Sequence, residues 1–116
     1  MVPRARMAEP DSAWVDLEAP LPAPGCTRGV ELRGHALLVC NAGGRLYVIA
    51  DRCPHTRSSL AGGALRGCVL ECPLHGGTLD VRDGAPLGLP IRRPATCYPV
   101  RPRGDGWQVA LPPAVS

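Results

Sequence analysis

The chain has 116 residues with 13 basic side chains, all arginine, 10 acidic ones and a net charge of +3, which is one domain's worth, so that a two-domain enzyme with its own substrate pocket is expected to be hard to fit. No apolar run approaches the roughly 20 residues needed to cross a bilayer, and none follows the first arginines as a secretory signal requires, so the expectation is a cytoplasmic protein without membrane contact. The arginines are scattered, and neither Trp14 nor Trp107 lies in a basic run, which argues against nucleic acid as a partner.

Fourteen glycines, fourteen prolines and no phenylalanine describe a turn-rich chain, more like a small β domain than a helix bundle. Residues 1–12 are polar and read as a flexible N-terminal arm. Residues 14–17 alternate apolar and polar as a half-buried strand does, and 21–25 break that rhythm. Strands are expected over 29–32, 36–40 and 45–49, the last two joined by a tight turn at 41–44. A further pair, 97–101 and 107–111, flanks a turn at 104–106. Residues 58–65 are the one candidate helix, and they carry the adjacent Gly62 and Gly63. The reading is an all-β domain over 13–112, an antiparallel sandwich or small barrel interrupted by loops at about 51–95.

Those loops carry the chemistry. Cys53-Pro54-His55 and Cys72-Pro73-Leu74-His75 are separated by sixteen residues, a C-x-H-x16-C-x-x-H pattern. Six cysteines in a short secreted chain would suggest disulfides, but cytosolic thiols stay reduced, and cysteines placed just before histidines point to metal. A single zinc ion needs all four ligands to converge, usually with two to five residues between paired ligands. One intervening proline makes that awkward, while a binuclear centre lets each loop send its cysteine to one metal and its histidine to the other. A structural zinc module stays open as an alternative.

The two boxes resemble those of the Rieske family, specifically Rieske-type ferredoxins. So do the approach strand 45–55, the Gly-Gly-Thr-Leu-Asp run ending at Asp80, the proline-containing loop 83–90 and the returning stretch 94–100. The resemblance spans roughly residues 13–111. It implies an antiparallel β-sandwich with a cluster-binding loop subdomain and one [2Fe–2S] cluster per chain. Cys53 and Cys72 would bind the inner iron as thiolates, and His55 and His75 the outer iron. Pro54 and Pro73 would stiffen the loops, the N–H groups of Gly76 and Gly77 would face cluster sulfur, and Pro90 would tip a third covering loop. Neutral imidazoles in place of two thiolates raise the potential, and ferric iron acidifies their ring N–H groups, so the potential should fall at alkaline pH.

Two departures from the respiratory-chain members stand out. Ser58 and Leu74 occupy the places of the extra cysteines that form a disulfide between the boxes there. Gly77 replaces a serine whose hydroxyl bonds the cluster. Fewer hydrogen bonds to sulfur imply a potential near the lower end of the range of about −150 to +300 mV.

The remaining residues read as structural. Cys26, Cys40, Cys68 and Cys97 are expected to pack as small apolar groups. His35 is a turn residue, and Tyr47 and Tyr98 are strand residues. Arg52, Arg57, Arg66, Arg92 and Arg93 are either a basic rim for an acidic partner or an ordinary solvated surface. With only His35 outside the boxes, a mononuclear iron site of two histidines and a carboxylate cannot be built. The chain is therefore expected to be an electron carrier and not an enzyme. By resemblance it is a monomer that takes electrons from a flavin-dependent ferredoxin reductase and passes them to a terminal non-haem iron oxygenase. A Rieske-like small subunit of a nitrite reductase complex is the other reading that keeps the cluster.

Overall fold

Leu37-Leu38-Val39-Cys40 is a continuous apolar run, and alternate residues of a strand face opposite ways, so such a run needs cover on both sides. The computed structural model describes residues 12–18 and 20–113 and provides that cover. Most of the arm expected over 1–12 lies outside the described residues. A four-stranded antiparallel sheet, in the order β2 (Thr27–Leu32), β3 (His35–Ala42), β4 (Arg45–Ala50), β9 (Cys97–Tyr98), forms the middle layer. Against one face packs a three-stranded sheet of β1 (Ala13–Asp16), β11 (Gly106–Leu111) and β10 (Val100–Arg103). Leu37 and Val39 of β3 and Leu46 and Val48 of β4 meet Val109 and Leu111 there. Leu38, Cys40 and Ile49 point the other way, onto Leu60, Leu70, Leu79 and Ile91 of the loop region. Each fully buried Leu or Ile contributes about 1.5–3 kcal/mol by leaving water. The middle sheet is thereby fixed in register from both faces.

The loop region has a sheet of its own. β5 (Leu65–Arg66), β6 (Val69–Glu71), β7 (Thr78–Asp80) and β8 (Pro86–Gly88) pair antiparallel in that order. There is no helix among the described residues, and none long and apolar enough to cross a membrane. The candidate helix at 58–65 is a turn and an extended segment. A Cβ at Gly63 would collide with the backbone carbonyl of Glu71, and Glu71 N–H donates to Ala64 O at 2.9 Å. That stretch therefore lies flat against β6.

Two hairpins are tighter than expected. Arg33-Gly34 and Gly43-Gly44 are two-residue turns with positive φ at both positions (52° and 79°, 68° and 100°), the geometry that matches strand twist. The first of them makes His35 the opening residue of β3, not a turn residue. Its Nε2 lies 3.1 Å from Pro113 O and its ring is 6.3 Å from that of Tyr98. The single strand expected over 97–101 is two, divided at Pro99. Tyr98 pairs with Val48 in the middle sheet, whereas Val100 pairs with Val109 in the outer one. Proline has no N–H to continue a ladder, and its carbonyl accepts instead from Ala110 N–H at 2.9 Å. Cys40 and Cys97 are buried and Cys68 packs against the core, but Cys26 is exposed, in the turn before β2, with its backbone alone joined to the sheet.

Asp80 is 8% exposed and is held by its neighbour two residues on. Arg82 donates to it from the backbone N–H (2.9 Å), Nε (3.0 Å) and an Nη (2.7 Å). The Arg82 guanidinium is the largest influence on the carboxyl and holds it below the ordinary carboxylate range, against the upward push of burial. The folded pKa is thus depressed, so this stabilisation is complete above the unfolded pKa of about 3.9 and is lost as pH falls through the folded value. Asp80→Asn should melt lower than the parent at pH 7, with the gap closing as both are titrated below about pH 3. Melting curves across that range check the sign.

Candidate metal centre

The two boxes occupy equivalent positions in different surroundings. The first follows β4. The second, residues 72–77, is the loop of the β6–β7 hairpin, closed by the pairing of Glu71 with Thr78. Both loops close in the same way. Cys53 N–H donates to Ser58 O (2.7 Å) and Cys53 O accepts from Arg57 N–H (2.8 Å). Cys72 N–H donates to Gly77 O (2.7 Å) and Cys72 O accepts from Gly76 N–H (3.1 Å). The fifth residue of each loop is left-handed, Arg57 at φ 65° and Gly76 at φ 73°. Glycine adopts this freely, while arginine there costs on the order of 1 kcal/mol or more. The proline after each cysteine keeps the cysteine extended.

This repeated turn sends the sulfurs inward and the rings outward. Cys53 and Cys72 are 1% and 2% exposed, whereas His55 and His75 are exposed, with ring centroids 5.7 Å apart and edge to face at 81°. Two covered sulfurs are in contact with each other, and two exposed rings neighbour each other. Among the described residues no three of His, Cys, Asp and Glu gather about one point as a single ion would require.

Each sulfur also receives backbone donors. Burial pushes the Cys53 thiol up, but the N–H groups of Thr56 and His55, the Thr56 hydroxyl and the Cys72 thiol outweigh it, and Cys53 lies below the ordinary thiol range. Burial is again the largest influence on Cys72, and with the neighbouring Cys53 it holds that thiol above the range despite the N–H groups of Leu74 and His75. The backbone donors to the Cys72 sulfur are therefore Leu74 and His75. Gly76 N–H donates to Cys72 O, and Gly77 is where the third loop comes close. A Cβ there would sit 2.7 Å from Ile91 Cγ1 and 3.1 Å from Pro90 Cδ, so the third loop packs directly on its backbone.

Thr56 and Asp51 carry roles that the sequence pattern did not single out. Thr56 Oγ1 lies 2.6 Å from Ser58 Oγ, so the hydroxyl bonded to Cys53 is itself hydrogen-bonded. Asp51 accepts from Leu60 N–H (2.7 Å), Ala61 N–H (3.2 Å) and Ser59 Oγ (2.9 Å), tying the first box to the strand it leaves. A carboxylate after a strand has no spacing signature of its own. Hydrogen bonds to a charged group are worth about 1.5–3 kcal/mol, and their loss leaves N–H groups unpaired. Asp51→Ala is therefore expected to cost about 2–3 kcal/mol in denaturant unfolding.

The sequence profile of the Rieske [2Fe-2S] domain matches residues 12–99. The chain belongs to that family. Over 75 residues it is 40% identical to the 3-phenylpropionate/cinnamic acid dioxygenase ferredoxin subunit of Escherichia coli (strain K12), covering 64% of this chain and 71% of that one. Over 99 residues it is 34% identical to the naphthalene 1,2-dioxygenase system ferredoxin component of Pseudomonas aeruginosa, covering 84% and 95%. A solved complex of reduced oxygenase and oxidised ferredoxin in carbazole 1,9a-dioxygenase contains a chain that superposes with a TM-score of 0.79 at 32% identity, covering 89% of this chain and 97% of that one. The cofactor of this Rieske domain is a [2Fe–2S] cluster, which sets aside the zinc module, and the chain is an electron carrier and not itself a catalyst. The donor set suits that cofactor: two buried sulfurs with N–H donors for the bridged core, and two imidazoles at the surface.

Proposed function

We propose that residues 13–112 form one Rieske ferredoxin domain in which Cys53 and Cys72 hold one iron and His55 and His75 the other. Acting as a cytoplasmic monomer, it takes electrons from a flavin-dependent reductase and delivers them to a terminal non-haem iron oxygenase. When bound, the cluster accepts and gives up one electron. The protein's part is to bury the sulfurs, hold the two imidazoles in fixed mutual geometry and present their edges as the short route to a partner. The arrangement at two depths, sulfurs covered and rings exposed, is the observation that carries this reading. The ferredoxin components among its relatives support the direction of electron flow.

The EPR spectrum after dithionite reduction tests the ligand set. A rhombic signal with an average g below that of an all-thiolate cluster is the expected result, and an axial ferredoxin-like signal or none would refute the assignment. With Gly77 offering no hydroxyl to the cluster, the midpoint is expected in the lower part of the range of about −150 to +300 mV.

A further inference from the structure

Four large apolar side chains are left well exposed among the described residues: Val69 (38%), Leu74 (59%), Leu87 (54%) and Leu89 (70%). All four belong to the small sheet and its loops, and none to the sandwich. A scattered exposed leucine is ordinary, but three of these are brought together. Leu74 lies between Cys72 and His75. Leu87 and Leu89 belong to the third loop, whose Pro90 and Ile91 press on Gly77 and whose Gly88 pairs with Thr78, just beyond the second box. The packing that fixes the third loop thus also fixes Leu87 and Leu89 next to the second box, where Leu74 adjoins His75.

Arginine dominates the charge of the loops that carry these leucines, with the part-exposed Glu71 carboxylate, beside Gly76, as the acidic exception. Residues 52–58, 72–77 and 87–93 contain four arginines, Arg52, Arg57, Arg92 and Arg93, and no aspartate or glutamate. All four are exposed, and the one ion pair among the described residues is Arg82–Asp80, elsewhere. A contiguous apolar surface with a polar rim marks an interaction site. A second copy of this chain does not fit it, because two such faces would bring eight unpaired guanidinium groups together. An acidic rim does fit, since guanidinium groups bind carboxylates through paired N–H donors and cost less to desolvate than ammonium groups.

We infer that the tip made by these three loops docks a protein surface that is apolar at its centre and rimmed by carboxylates, with Leu74, Leu87 and Leu89 as anchors and Arg52, Arg57, Arg92 and Arg93 as the selecting collar. The inference rests on the carrier reading above. It adds what a redox partner must look like to be accepted.

The test uses the intact holoprotein and two fluorescently labelled amphipathic peptides with identical leucine faces, one flanked by glutamate and one by lysine. Anisotropy titration should show binding of the glutamate peptide alone, weakened about tenfold or more between ~20 and ~300 mM salt. Arg92→Glu/Arg93→Glu should reverse the preference, and Leu74→Ser/Leu89→Ser should abolish binding of either peptide. Equal binding of both peptides, no binding, or binding untouched by these substitutions overturns the proposal. So does a concentration-dependent dimer that Leu89→Ser disperses, because the patch would then belong to a second copy. Iron content and the reduced EPR spectrum of the same samples separate a missing docking face from a missing cluster.

Discussion

Cys72→Ala is expected to leave the protein without iron, without its visible absorption and without a reduced EPR signal. Cys72 is 2% exposed with its sulfur beside that of Cys53, and alanine offers no ligand atom at the position it vacates. A second buried thiol of the same core is no remedy. Cys40 lines the same core, but burial, followed by the neighbouring Cys97 and Asp51, pushes its thiol up to about 12, and at neutral pH it carries its proton. Iron must displace that proton to bind, and burial in the core makes the displacement costly. Cys26→Ala and Cys68→Ala should retain full iron, the former being exposed before β2 and the latter packed at the core's edge. Iron and sulfide per chain, measured on all three variants, check the assignment. Full iron in Cys72→Ala would mean that another residue holds the metal.

The contrast between these cysteines shows what was legible in the sequence. The boxes could be read because ligand chemistry needs particular residue types at short range, and Cys53-Pro54-His55 leaves few other interpretations. The strands of the middle sheet could be read because β-branched and aliphatic residues between glycine turns have few alternatives. The third layer could not. β5 to β8 are two or three residues long, too short for alternation to register, and their pairing depends on contacts across the chain, such as Leu70 with Leu79. The division at Pro99 depends on which sheet each half joins, and a proline permits that switch without announcing it. Cys26 differs from Cys40 only in where the turn at Gly25 points it. Asp51 and Thr56 are common residues whose roles exist only once the first box has closed on itself. The part missed is the part made by tertiary contact, and it is also what holds the boxes opposite one another.

Gly84→Ala should show how much depends on that third layer. Gly84 turns the chain between β7 and β8 with φ 79°, donating to Asp80 O at 2.7 Å and accepting from Ala95 N–H at 2.9 Å. A methyl group there meets the Ala95 carbonyl and comes 3.1 Å from Cys97 Sγ, the residue that opens β9 in the middle sheet. The left-handed backbone costs about 1 kcal/mol for alanine, and forcing a methyl into a closed contact adds about 1–3 kcal/mol. Gly43→Ala separates the two contributions. Its φ is 68° with nothing within 4 Å of the new Cβ, so it should lose only the backbone part, about 1 kcal/mol. Urea unfolding of the holoprotein should therefore place Gly84→Ala about 1–3 kcal/mol below Gly43→Ala. If the two variants unfold together, the turn is not wedged against β9. If they separate as expected and Gly84→Ala also loses iron faster to a chelator, the small sheet is what keeps the second box facing the first. The contact that fixes Gly84 against Ala95 and Cys97 would then be as necessary to electron transfer as any ligand, although it touches no metal.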